Sequence, residues 1–498
     1  MIVVIKLFTS DQIKAWDATT IRDGGITSFG LMQRACRAFV TWFTERYDAS
    51  HKVCVVCGTG NNGGDGLGIA LLLHEWNYPV QVFIVRGTNT TPDFDTSLTL
   101  LDGKITVKEI TSSEFDVPTG SIVIDALFGT GLSRELDGKY AQIIKKLNKL
   151  DVIRVAVDVP SGLRVDVPTS GEIFRADHTV TFQAPKLAFL LTQSSVFTGQ
   201  WHVVDIGLSK AFVKEAKSSY FLVTQKSVKR IVKPRAPFSH KGSYGHALLI
   251  AGSTGKMGAA VLAARAALRA GVGLLTVHIP AAGNVIMQSS VSEAMTEQDV
   301  SQNFFTACEV ENFYTATGVG PGLGQAPETL QGFKNLLAQR TKPMVLDADA
   351  LNLLATNAEL LNKIPEGSIL TPHPGEFMRL VGAWSNDFDK LKKQIALAGT
   401  TKSVVVLKGA HSSIALPDGS VYFNSTGNPG MATGGSGDVL TGIITALLAQ
   451  GYPAAQAAIL GVYVHGLAGD LAAREIGETG LIAGDLISYL PYAFKKLE

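Results

Sequence analysis

The sequence contains little cysteine and no long apolar run. Its 498 residues include four cysteines, Cys36, Cys54, Cys57 and Cys308, too few and too scattered for the disulfide framework of a secreted protein. A membrane-spanning helix needs about 18 or more consecutive apolar residues, and none occurs. The opening Met1–Phe8 is also too short for the apolar core of a signal peptide. We therefore expect a cytoplasmic protein that does not bind a membrane.

The sequence also lacks an excess of either charge. It has 44 Lys+Arg against 43 Asp+Glu, a net charge of +1. Without a basic excess, no long-range field favours nucleic acid or an acidic lipid surface. We expect small-molecule partners and no nucleic acid.

Two of the cysteines form a CxxC motif inside an apolar segment. Cys54 and Cys57 lie in the run 53–57, which has the character of a buried strand. A strand would point the two side chains to opposite faces of its sheet. We interpret both as buried structural thiols.

Glycine, in contrast, is abundant. The 51 glycines in 498 residues exceed the usual share of about 7%, and many follow short apolar runs. The order strand, glycine loop, helix, strand is typical of parallel α/β proteins. A chain of this length implies two or three domains.

The first such unit has a strand at 52–57, a polar glycine loop at 58–66 and a helix at 67–76. Gly58, Gly60 and Gly63 fit the GxGxxG pattern of dinucleotide-binding folds. The next strand, however, is followed by Arg86, where the fingerprint requires an acid for the ribose. Because Arg86 could instead bind the 2′-phosphate of NADP, an NADP-dependent oxidoreductase is retained as an alternative.

Polar residues follow the later strands of the first half. Asp125 comes after one strand, and Asp158 and Ser161 come after the next. Since the carboxyl ends of parallel strands share one edge of a sheet, these residues could meet Asn62. Their oxygen atoms suit an alkali or alkaline-earth cation rather than zinc. Each acid taken alone could equally cap a turn or a helix.

The segments NNGGDG (61–66), DALFGTGL (125–132) and DVPSGL (158–163) together resemble the NAD(P)H-hydrate epimerase domain, over about residues 10–210. The implied reaction interconverts the R and S forms at C6 of the hydrated nicotinamide ring. The resemblance implies potassium ligands at Asn62, Asp125 and Ser161. It implies a catalytic acid at Asp158, which suits a proton relay. The implied contacts with the hydrated dinucleotide are Asn61, Asn62, Gly63, Gly64, Asp65, Gly129, Thr130, Gly131, Leu132, Ser133, Arg134, Glu135 and Asp158.

A change in composition predicts the domain boundary. Residues 208–229 are richer in Lys and Ser and lack glycine motifs. We predict a first domain at 1–215, a linker at 216–228 and a second domain at 229–498. Both domains are expected to be three-layer α/β structures, the first of them Rossmann-like.

The most informative stretch of the second half is 428–438, which joins a glycine-rich loop to an apolar helix predicted over 439–448, with Gly451 as its stop. Glycines before a helix expose N–H groups to an anion, and the helix dipole adds positive charge. Asp438 lies at this junction. It either caps the helix or removes a proton from a hydroxyl group while the loop holds a phosphoryl group.

Four further polar loops follow apolar strands, at 318–324, 347–352, 371–376 and 408–412. Their shared position at strand ends predicts the rim of an active site. Lys256 lies in a glycine segment, but no Ser or Thr follows it, so this segment is not a Walker loop.

The motifs HKGSYG (240–245), GVGPGLG (318–324), DADALN (347–352), TPHPGE (371–376), LKGAH (407–411) and GNPGMATGGSGD (427–438) resemble the ADP/ATP-dependent NAD(P)H-hydrate dehydratases of the ribokinase-like superfamily, over about 230–498. Asp438 is the implied catalytic base. The implied contacts with the hydrated dinucleotide are Ala259, Gly322, His373 and Asp438, with Ala260 as an equally plausible register for Ala259. The implied nucleotide-binding residues are Lys408, Gly409, Ala410, His411, Ser412 and Gly437.

Together the two halves predict a bifunctional repair enzyme. It would epimerise NADHX and NADPHX, the hydrated forms of NADH and NADPH. It would then dehydrate the S form with ADP or ATP, by phosphorylating the C6 hydroxyl and eliminating phosphate. The expected cofactors are K⁺, and Mg²⁺ with the nucleotide, and a homo-oligomer is expected. The alternatives are the NADP-dependent oxidoreductase, a small-molecule kinase of the same superfamily, and a non-enzymatic binding module.

Overall fold

The computed structural model describes residues 4–339 and 342–498. Residues 1–3, with which the first predicted domain begins, and residues 340–341 lie outside these ranges. The described residues form two compact units, one of Lys6–Ser218 with Asn386–Phe388, the other of Ser219–Ser385 and Asp389–Glu498 with residues 4–5. The sheet of the first unit is parallel and that of the second is mainly parallel, which confirms the prediction of a two-domain α/β protein.

The first unit contains a parallel sheet in the order β4-β3-β2-β5-β6-β7-β8. Its strands are β2 (Val53–Cys57), β3 (Val80–Ile84), β4 (Val107–Glu109), β5 (Ile122–Ala126), β6 (Ile153–Val157), β7 (His178–Phe182) and β8 (Gln200–Val204). The short strand β1 (Ile5–Leu7) precedes them in the chain and is not part of this sheet. The helices are α1 (Ser10–Gly24), α2 (Ser28–Thr44), α3 (Asn61–Glu75), α4 (Pro92–Leu101), α5 (Gly138–Leu147), α6 (Ser195–Thr198) and α7 (Lys210–Glu215).

Helices cover both faces of this sheet. Every residue of β2 is buried, as expected for an inner strand of a parallel sheet. Cys57 packs in a core cluster with Phe39 of α2 and Leu67 of α3. Cys54 packs in a different cluster, with Ile143 of α5. The two cysteines therefore face opposite layers and are both buried, which confirms their interpretation as structural thiols.

The glycine segment after β2 differs from the prediction. Gly60 is the N-cap of α3, and residues 61–66 form its first turns, so the polar loop predicted over 58–66 was wrong beyond residue 60. Close packing explains the glycines, because a Cβ at Gly63 would lie 2.0 Å from the carbonyl oxygen of Gly58. A Cβ at Gly66 would lie 2.5 Å from Ala126 Cβ. The glycines let α3 start directly against the strand ends.

The second unit has the strand order β9-β18-β17-β16-β15-β14-β13-β10-β11-β12. Its strands are β9 (Tyr220–Leu222), β10 (His246–Ile250), β11 (Leu274–Ile279), β12 (Met295–Gln298), β13 (Ala316–Val319), β14 (Met344–Leu346), β15 (Ile369–Leu370), β16 (Val404–Leu407), β17 (Ser413–Ala415) and β18 (Val421–Phe423). Its helices are α8 (Gln225–Lys229), α9 (Met257–Arg269), α10 (Asn284–Ser290), α11 (Pro327–Gln339), α12 (Ala348–Thr356), α13 (Pro374–Val381), α14 (Asp387–Thr401), α15 (Ser436–Ala449), α16 (Ala454–Ile476) and α17 (Ala483–Lys495).

The pairing in this sheet is parallel from β12 through β16. The strands β16, β17 and β18 then pair antiparallel. The range 216–228, predicted as a linker, contains β9 and most of α8, and β9 pairs with β18. The limits of the linker stay a prediction.

Small residues fix the position of α15. A Cβ at Gly442 would lie 2.1 Å from the carbonyl oxygen of Ala263 in α9, so the two helices make backbone contact. Ala260, Ala264 and Ala267 of α9 are fully buried in the same core. This packing holds the first turn of α15 in place.

Among the described helices, none combines the length and apolar character that crossing a bilayer requires.

Candidate active sites

The first turn of α15 forms an anion-binding position. Gly435 is its N-cap with φ = 90°, a left-handed conformation that glycine adopts without steric cost. A Cβ there would also lie 2.5 Å from Leu262 Cδ1. The first N–H groups of a helix have no intrahelical acceptor and carry its positive dipole end. Asp438 is the third residue of α15, so an acid lies in the same first turn as this anion-binding position.

A cavity of about 400 Å³ opens beside this turn. Ala259 and Gly322 line it, whereas Ala260 is fully buried in the core. The geometry therefore separates the two registers considered for Ala259. The lining residues are Gly255, Lys256, Gly258, Ala259, Gly322, Ala348, Asp349, Asn352, Glu376 and Asp438.

Lys408 is held at the edge of this turn by a buried acid. Its Nζ donates to Asp347 Oδ1 at 2.9 Å, and Asp347 is 1% exposed. Thr441 donates to the other oxygen of Asp347 at 2.6 Å. Lys408 Nζ also lies 3.9 Å from Glu376 Oε2 and 3.3 Å from the position of a Cβ at Gly437. The ammonium group is thus fixed next to the helix terminus, where it can contact a phosphate.

The environment of Asp438 makes its carboxylate easier to protonate than that of an ordinary aspartate. Burial, and next the charge of Asp347, raise the pKa of Asp438 to about 6, although Lys408 opposes the shift. Burial also raises the pKa of Glu376. A carboxylate with a pKa near neutrality is suited to accept a proton in a reaction.

His465 contacts the first residue of α15, Ser436. It is 9% exposed, and its Nε2 lies 3.0 Å from the carbonyl oxygen of Ser436. Burial lowers the pKa of His465 to about 4, so the ring is neutral and can donate this hydrogen bond. No motif in the sequence points to this residue.

The other predicted contacts of the second unit are not among the residues that line the cavity. His373 caps α13, where its Nδ1 accepts from the N–H groups of Gly375 at 3.0 Å and Glu376 at 3.4 Å. Gly409 and Ala410 are exposed. Ser412 Oγ accepts from the N–H of Gly409 at 3.2 Å. His411 and Ser412 are half-buried.

The first unit has its own cavity, of about 500 Å³. Gly63 and Gly64 are buried within α3, and Ser133, Arg134 and Glu135 are exposed, so these predicted contacts lie beyond the lining. The polar and glycine residues that line the cavity include Asp17, Thr59, Gly60, Asn61, Asn62, Asp65, Gly129, Thr130, Gly131, Asp158 and Lys186, and Leu132 also contributes.

Asp158 forms a buried ion pair that the sequence did not indicate. Lys186 is 1% exposed, and its Nζ donates to Asp158 Oδ1 at 2.8 Å and to Thr181 Oγ1 at 2.8 Å. Asp158 itself has φ = 64°, a strained conformation for a residue with a side chain. The only signal for this pair was a lysine next to the apolar run 187–191.

Two further acids surround this pair. Burial, and next the charge of Asp158, raise the pKa of Asp17 to about 6. The same two causes raise the pKa of Asp65 well above its usual value. Three carboxyl groups and one ammonium group therefore share the cavity wall.

Asp125 and Ser161 make a second contact, separate from Asp158. The N–H of Ser161 donates to Asp125 Oδ2 at 2.8 Å, and its Oγ donates to Oδ1 at 2.7 Å. Asp125 is fully buried, and burial raises its pKa to about 6. Asn62 Nδ2 is buried without a hydrogen-bond partner among the described residues. Asn62 and Asp158 line the same cavity, but Asp158 pairs with Lys186 rather than with Asp125.

Arg86, which the sequence offered as a contact for a dinucleotide 2′-phosphate, forms an ion pair instead. Its Nη2 lies 2.6 Å from Glu109 Oε1.

The fold and the two cavities are those of a two-domain α/β enzyme. The first unit has an acid-lined cavity, and the second has a site suited to phosphate at the start of α15.

Family models match both halves of the chain. One described as YjeF-related protein N-terminus matches residues 28–188, and one described as NAD(P)H-hydrate dehydratase matches residues 247–492. The bifunctional NAD(P)H-hydrate repair enzyme Nnr of Moorella thermoacetica is 37% identical, over 99% of this chain and 97% of that protein. The protein of the same name from Escherichia coli is 35% identical, over 95% and 93%.

Among solved structures, an ADP/ATP-dependent NAD(P)H-hydrate dehydratase from Bacillus subtilis, co-crystallised with ATP/Mg²⁺, is 33% identical. It aligns with 55% of this chain and 98% of its own, with a TM-score of 0.49. From the full-length relatives and both models, the chain belongs to the family of bifunctional NAD(P)H-hydrate repair enzymes. The prediction of a bifunctional NAD(P)H-hydrate repair enzyme is therefore confirmed.

Proposed function

We propose that this chain epimerises the R and S forms of NADHX and NADPHX in its first domain. In its second domain it converts the S form to NADH or NADPH with ADP or ATP. The observation that carries this proposal is Asp438, which lines a cavity in the first turn of α15 with a pKa of about 6. Family membership supplies the substrate class.

The dehydration begins with phosphoryl transfer. Asp438 accepts the proton of the C6 hydroxyl, a step that contributes about 10² to 10⁴ in rate. The hydroxyl oxygen then forms a bond to the terminal phosphorus, and the bond to the nucleotide breaks. The N–H groups of Gly435–Gly437 stabilise the transferring group, each good donor contributing roughly 3 kcal/mol. Lys408 adds a fixed positive charge.

Elimination follows from the chemistry of the product. The lone pair of the ring nitrogen expels phosphate from C6, and a proton leaves C5. The C5=C6 double bond of the dihydronicotinamide ring is thereby restored. Phosphate leaves far more readily than hydroxide, which explains the need for a phosphoryl donor. The products are NADH or NADPH, inorganic phosphate, and AMP from ADP or ADP from ATP.

The residues at this site fit the magnesium ion that accompanies nucleotides. Glu376 presents carboxylate oxygens to the cavity, and such oxygens are the protein ligands that Mg²⁺ prefers. We propose that Glu376 holds Mg²⁺ together with the phosphates, which leaves Asp438 free to act as the base. The ion would offset negative charge during transfer.

The ligand contacts proposed for this domain follow the strand ends. Lys408–Ser412 and Gly437 would bind the adenine nucleotide. Ala259, Gly322, His373 and Asp438 would contact the hydrated ring and its ribose phosphates. The position of Ala259 and Gly322 in the cavity wall supports this arrangement.

In the first domain we propose Asp158 as the group that accepts and returns a proton during epimerisation. Lys186 fixes its carboxylate at 2.8 Å. Asp17, with a pKa of about 6, is a second proton acceptor within the same cavity. Asn61, Asn62, Asp65 and residues 129–132, which line the cavity, would bind the dinucleotide.

Potassium is the cation proposed for Asn62, Asp125 and Ser161. The carboxylate of Asp125 is fully buried and accepts only from neutral donors among its described hydrogen bonds. The unpaired buried amide position of Asn62 suits an oxygen ligand once the amide is flipped. Both features favour a hard monovalent cation. It would balance the buried charge and fix the segment after β5.

We further propose that residues 1–215 form the epimerase domain, 216–228 the linker and 229–498 the dehydratase domain. The net charge of +1 and the cysteine usage support a cytoplasmic protein that binds neither nucleic acid nor membrane. We also propose that it forms a homo-oligomer. Sedimentation of the purified chain tests the oligomer, because a monomer at all concentrations would contradict it.

The test of the proposed activity uses NADHX with ATP or ADP. We expect NADH absorbance to return with one phosphate released per NADH. A stable phosphorylated product without phosphate release would support the small-molecule kinase instead. Steady NADPH consumption with a carbonyl substrate would support the oxidoreductase.

A further inference from the structure

Three side chains with metal-ligating atoms meet at one edge of the second sheet. His278 of β11 and Glu297 of β12 are register partners in adjacent parallel strands, so both side chains project from the same face of the sheet. Cys308 follows β12 in the chain. One ligand atom from each of the three residues lies within 4.8 Å of the others. This cluster contributes nothing to the lining of the cavity at Asp438.

His278 is oriented as a metal-binding histidine is. It is 6% exposed, and its Nε2 lies 3.3 Å from Asp299 Oδ2. Its Nδ1 is buried, has no hydrogen-bond partner among the described residues, and faces Glu297 Oε2 at 3.7 Å. A carboxylate that accepts the N–H of one ring nitrogen leaves the other nitrogen as a ligand. The unpaired Nδ1 is directed into the cluster.

The neighbouring residues hold these groups in place. Asp299 accepts from the N–H groups of Thr306 at 2.7 Å and Ser301 at 2.9 Å, which fixes the carboxylate beside His278. The hydroxyl of Tyr314 donates to Glu297 Oε1. The second oxygen of Glu297 therefore remains available on the side of His278.

We propose that His278 Nδ1, Glu297 and Cys308 bind a zinc ion. One nitrogen, one oxygen and one sulfur ligand form a donor set that suits Zn²⁺ and not Mg²⁺ or K⁺. On binding, the thiol of Cys308 loses its proton to solvent and a sulfur–zinc bond forms. The two negative ligands then balance the charge of the ion. Glu297 is 37% exposed, so a water molecule can complete a tetrahedral site.

The site has a structural link to the dehydratase cavity. The segment 299–308 carries Asn303, whose carbonyl oxygen accepts from the N–H of Thr254 at 2.8 Å. Thr254 immediately precedes Gly255 and Lys256, which line the cavity. A zinc ion at Cys308 would anchor this segment at its far end.

Bound zinc is expected to raise the thermal midpoint of unfolding, because the three ligands come together only in the folded state.

The test uses the full-length chain, freed of metal by a chelator and titrated with Co²⁺ in the absence of nucleotide. We expect one Co²⁺ per chain with a thiolate-to-metal charge-transfer band that Zn²⁺ abolishes. The band should be lost in Cys308→Ser and in His278→Gln. It should persist in Cys54→Ser, a matched control that changes a buried cysteine of the other unit. Asp299→Asn should weaken Zn²⁺ binding about 10- to 100-fold.

No charge-transfer band in the wild-type chain, or a band unchanged in Cys308→Ser, would overturn the proposal. X-ray absorption of the zinc-loaded wild-type chain provides a measurement that needs no variant. A first shell containing one sulfur together with nitrogen and oxygen supports the site. A shell of nitrogen and oxygen alone contradicts it.

Discussion

Lys408 Nζ lies 2.9 Å from Asp347 Oδ1, and this carboxylate is almost completely buried. Thr441 from α15 donates to the same carboxylate. One acid therefore connects the end of β14, the lysine after β16 and the helix whose first turn carries Asp438. The positive charge at the phosphate site is in position before a nucleotide binds.

Replacing Lys408 by Met should abolish nucleotide-dependent turnover and lower stability. Removing one partner of a buried ion pair costs about 3 to 5 kcal/mol. The double variant with Asp347→Asn should recover much of the stability without recovering turnover. Thermal unfolding and the rate of NADH formation measure the two effects separately. A Lys408→Met variant that turns over with ATP at the wild-type rate would contradict the proposed contact.

Replacing Asp438 by Asn should reduce NADH formation by about 10² to 10⁴, the contribution of a general base. Exchange between the R and S epimers should continue at the wild-type rate, because that reaction belongs to the first domain. Asp418→Asn, which removes an exposed acid of the same unit, is the matched control and should leave both rates unchanged. Loss of both activities in Asp438→Asn would contradict the two-site account.

The pH profile should report the raised pKa of Asp438, about 6. Because the base must be ionised, kcat/KM for dehydration should rise about tenfold per pH unit below pH 6 and level off above it. The stability of the folded chain should change with pH in the opposite direction from kcat/KM. The folded state binds the proton more tightly than the unfolded state, whose pKa is 3.8, so this group lowers stability as pH rises from about 4 to 6.

Asp438→Asn removes that titration. The variant should therefore be more stable than wild type at neutral pH and lose this advantage below about pH 4. Thermal unfolding of both proteins across this range provides the comparison. Equal midpoints at every pH would show that Asp438 carries no buried-charge penalty.

Replacing Asp158 by Asn should stop catalysed R-to-S exchange and spare conversion of the S form. The substitution also leaves the ammonium of Lys186 buried without its acid, so the first domain should lose about 3 to 5 kcal/mol of stability. Asp151→Asn, an exposed acid of the same domain, is the control. Circular dichroism must show a folded chain before the exchange rate is interpreted. Wild-type exchange in folded Asp158→Asn would exclude the proposed role.

Replacing potassium by a larger organic cation should slow epimer exchange and leave dehydration of the S form unchanged. Ser161→Ala removes one proposed ligand, so it should raise the potassium concentration needed for half-maximal exchange. The epimerisation rate as a function of potassium concentration measures both effects. An exchange rate that is independent of potassium would indicate that Asp125 and Ser161 only brace the loop.

The sequence was sufficient to predict the α/β class and the position of Asp438. Strand-ending motifs and a buried apolar helix are local signals, and α15 contains all of the predicted segment 439–448. The polar run after β2 misled the prediction because its glycines indicate a loop. Only the contact between Gly63 and the carbonyl of Gly58 shows that they allow a helix to approach a strand.

The partners of the proposed catalytic acids could not be predicted. Lys186 is 28 residues from Asp158 in the chain, and Asp347 is 61 residues from Lys408. Such pairs depend on how strands are ordered in the sheet, which a single sequence does not specify. The same holds for His278, Glu297 and Cys308, which come together through the register of β11 and β12.

The most direct measurement starts from a mixture of R- and S-NADHX with ATP or ADP and follows NADH absorbance, released phosphate and both epimers by chromatography. With the wild-type chain, both epimers should disappear, and NADH and phosphate should form in equal amounts. With Asp158→Asn, the S form should be consumed first and the R form should remain, declining only at the uncatalysed rate of exchange. Consumption of R-NADHX by Asp158→Asn at the wild-type rate, or NADH formation without nucleotide, would contradict the account.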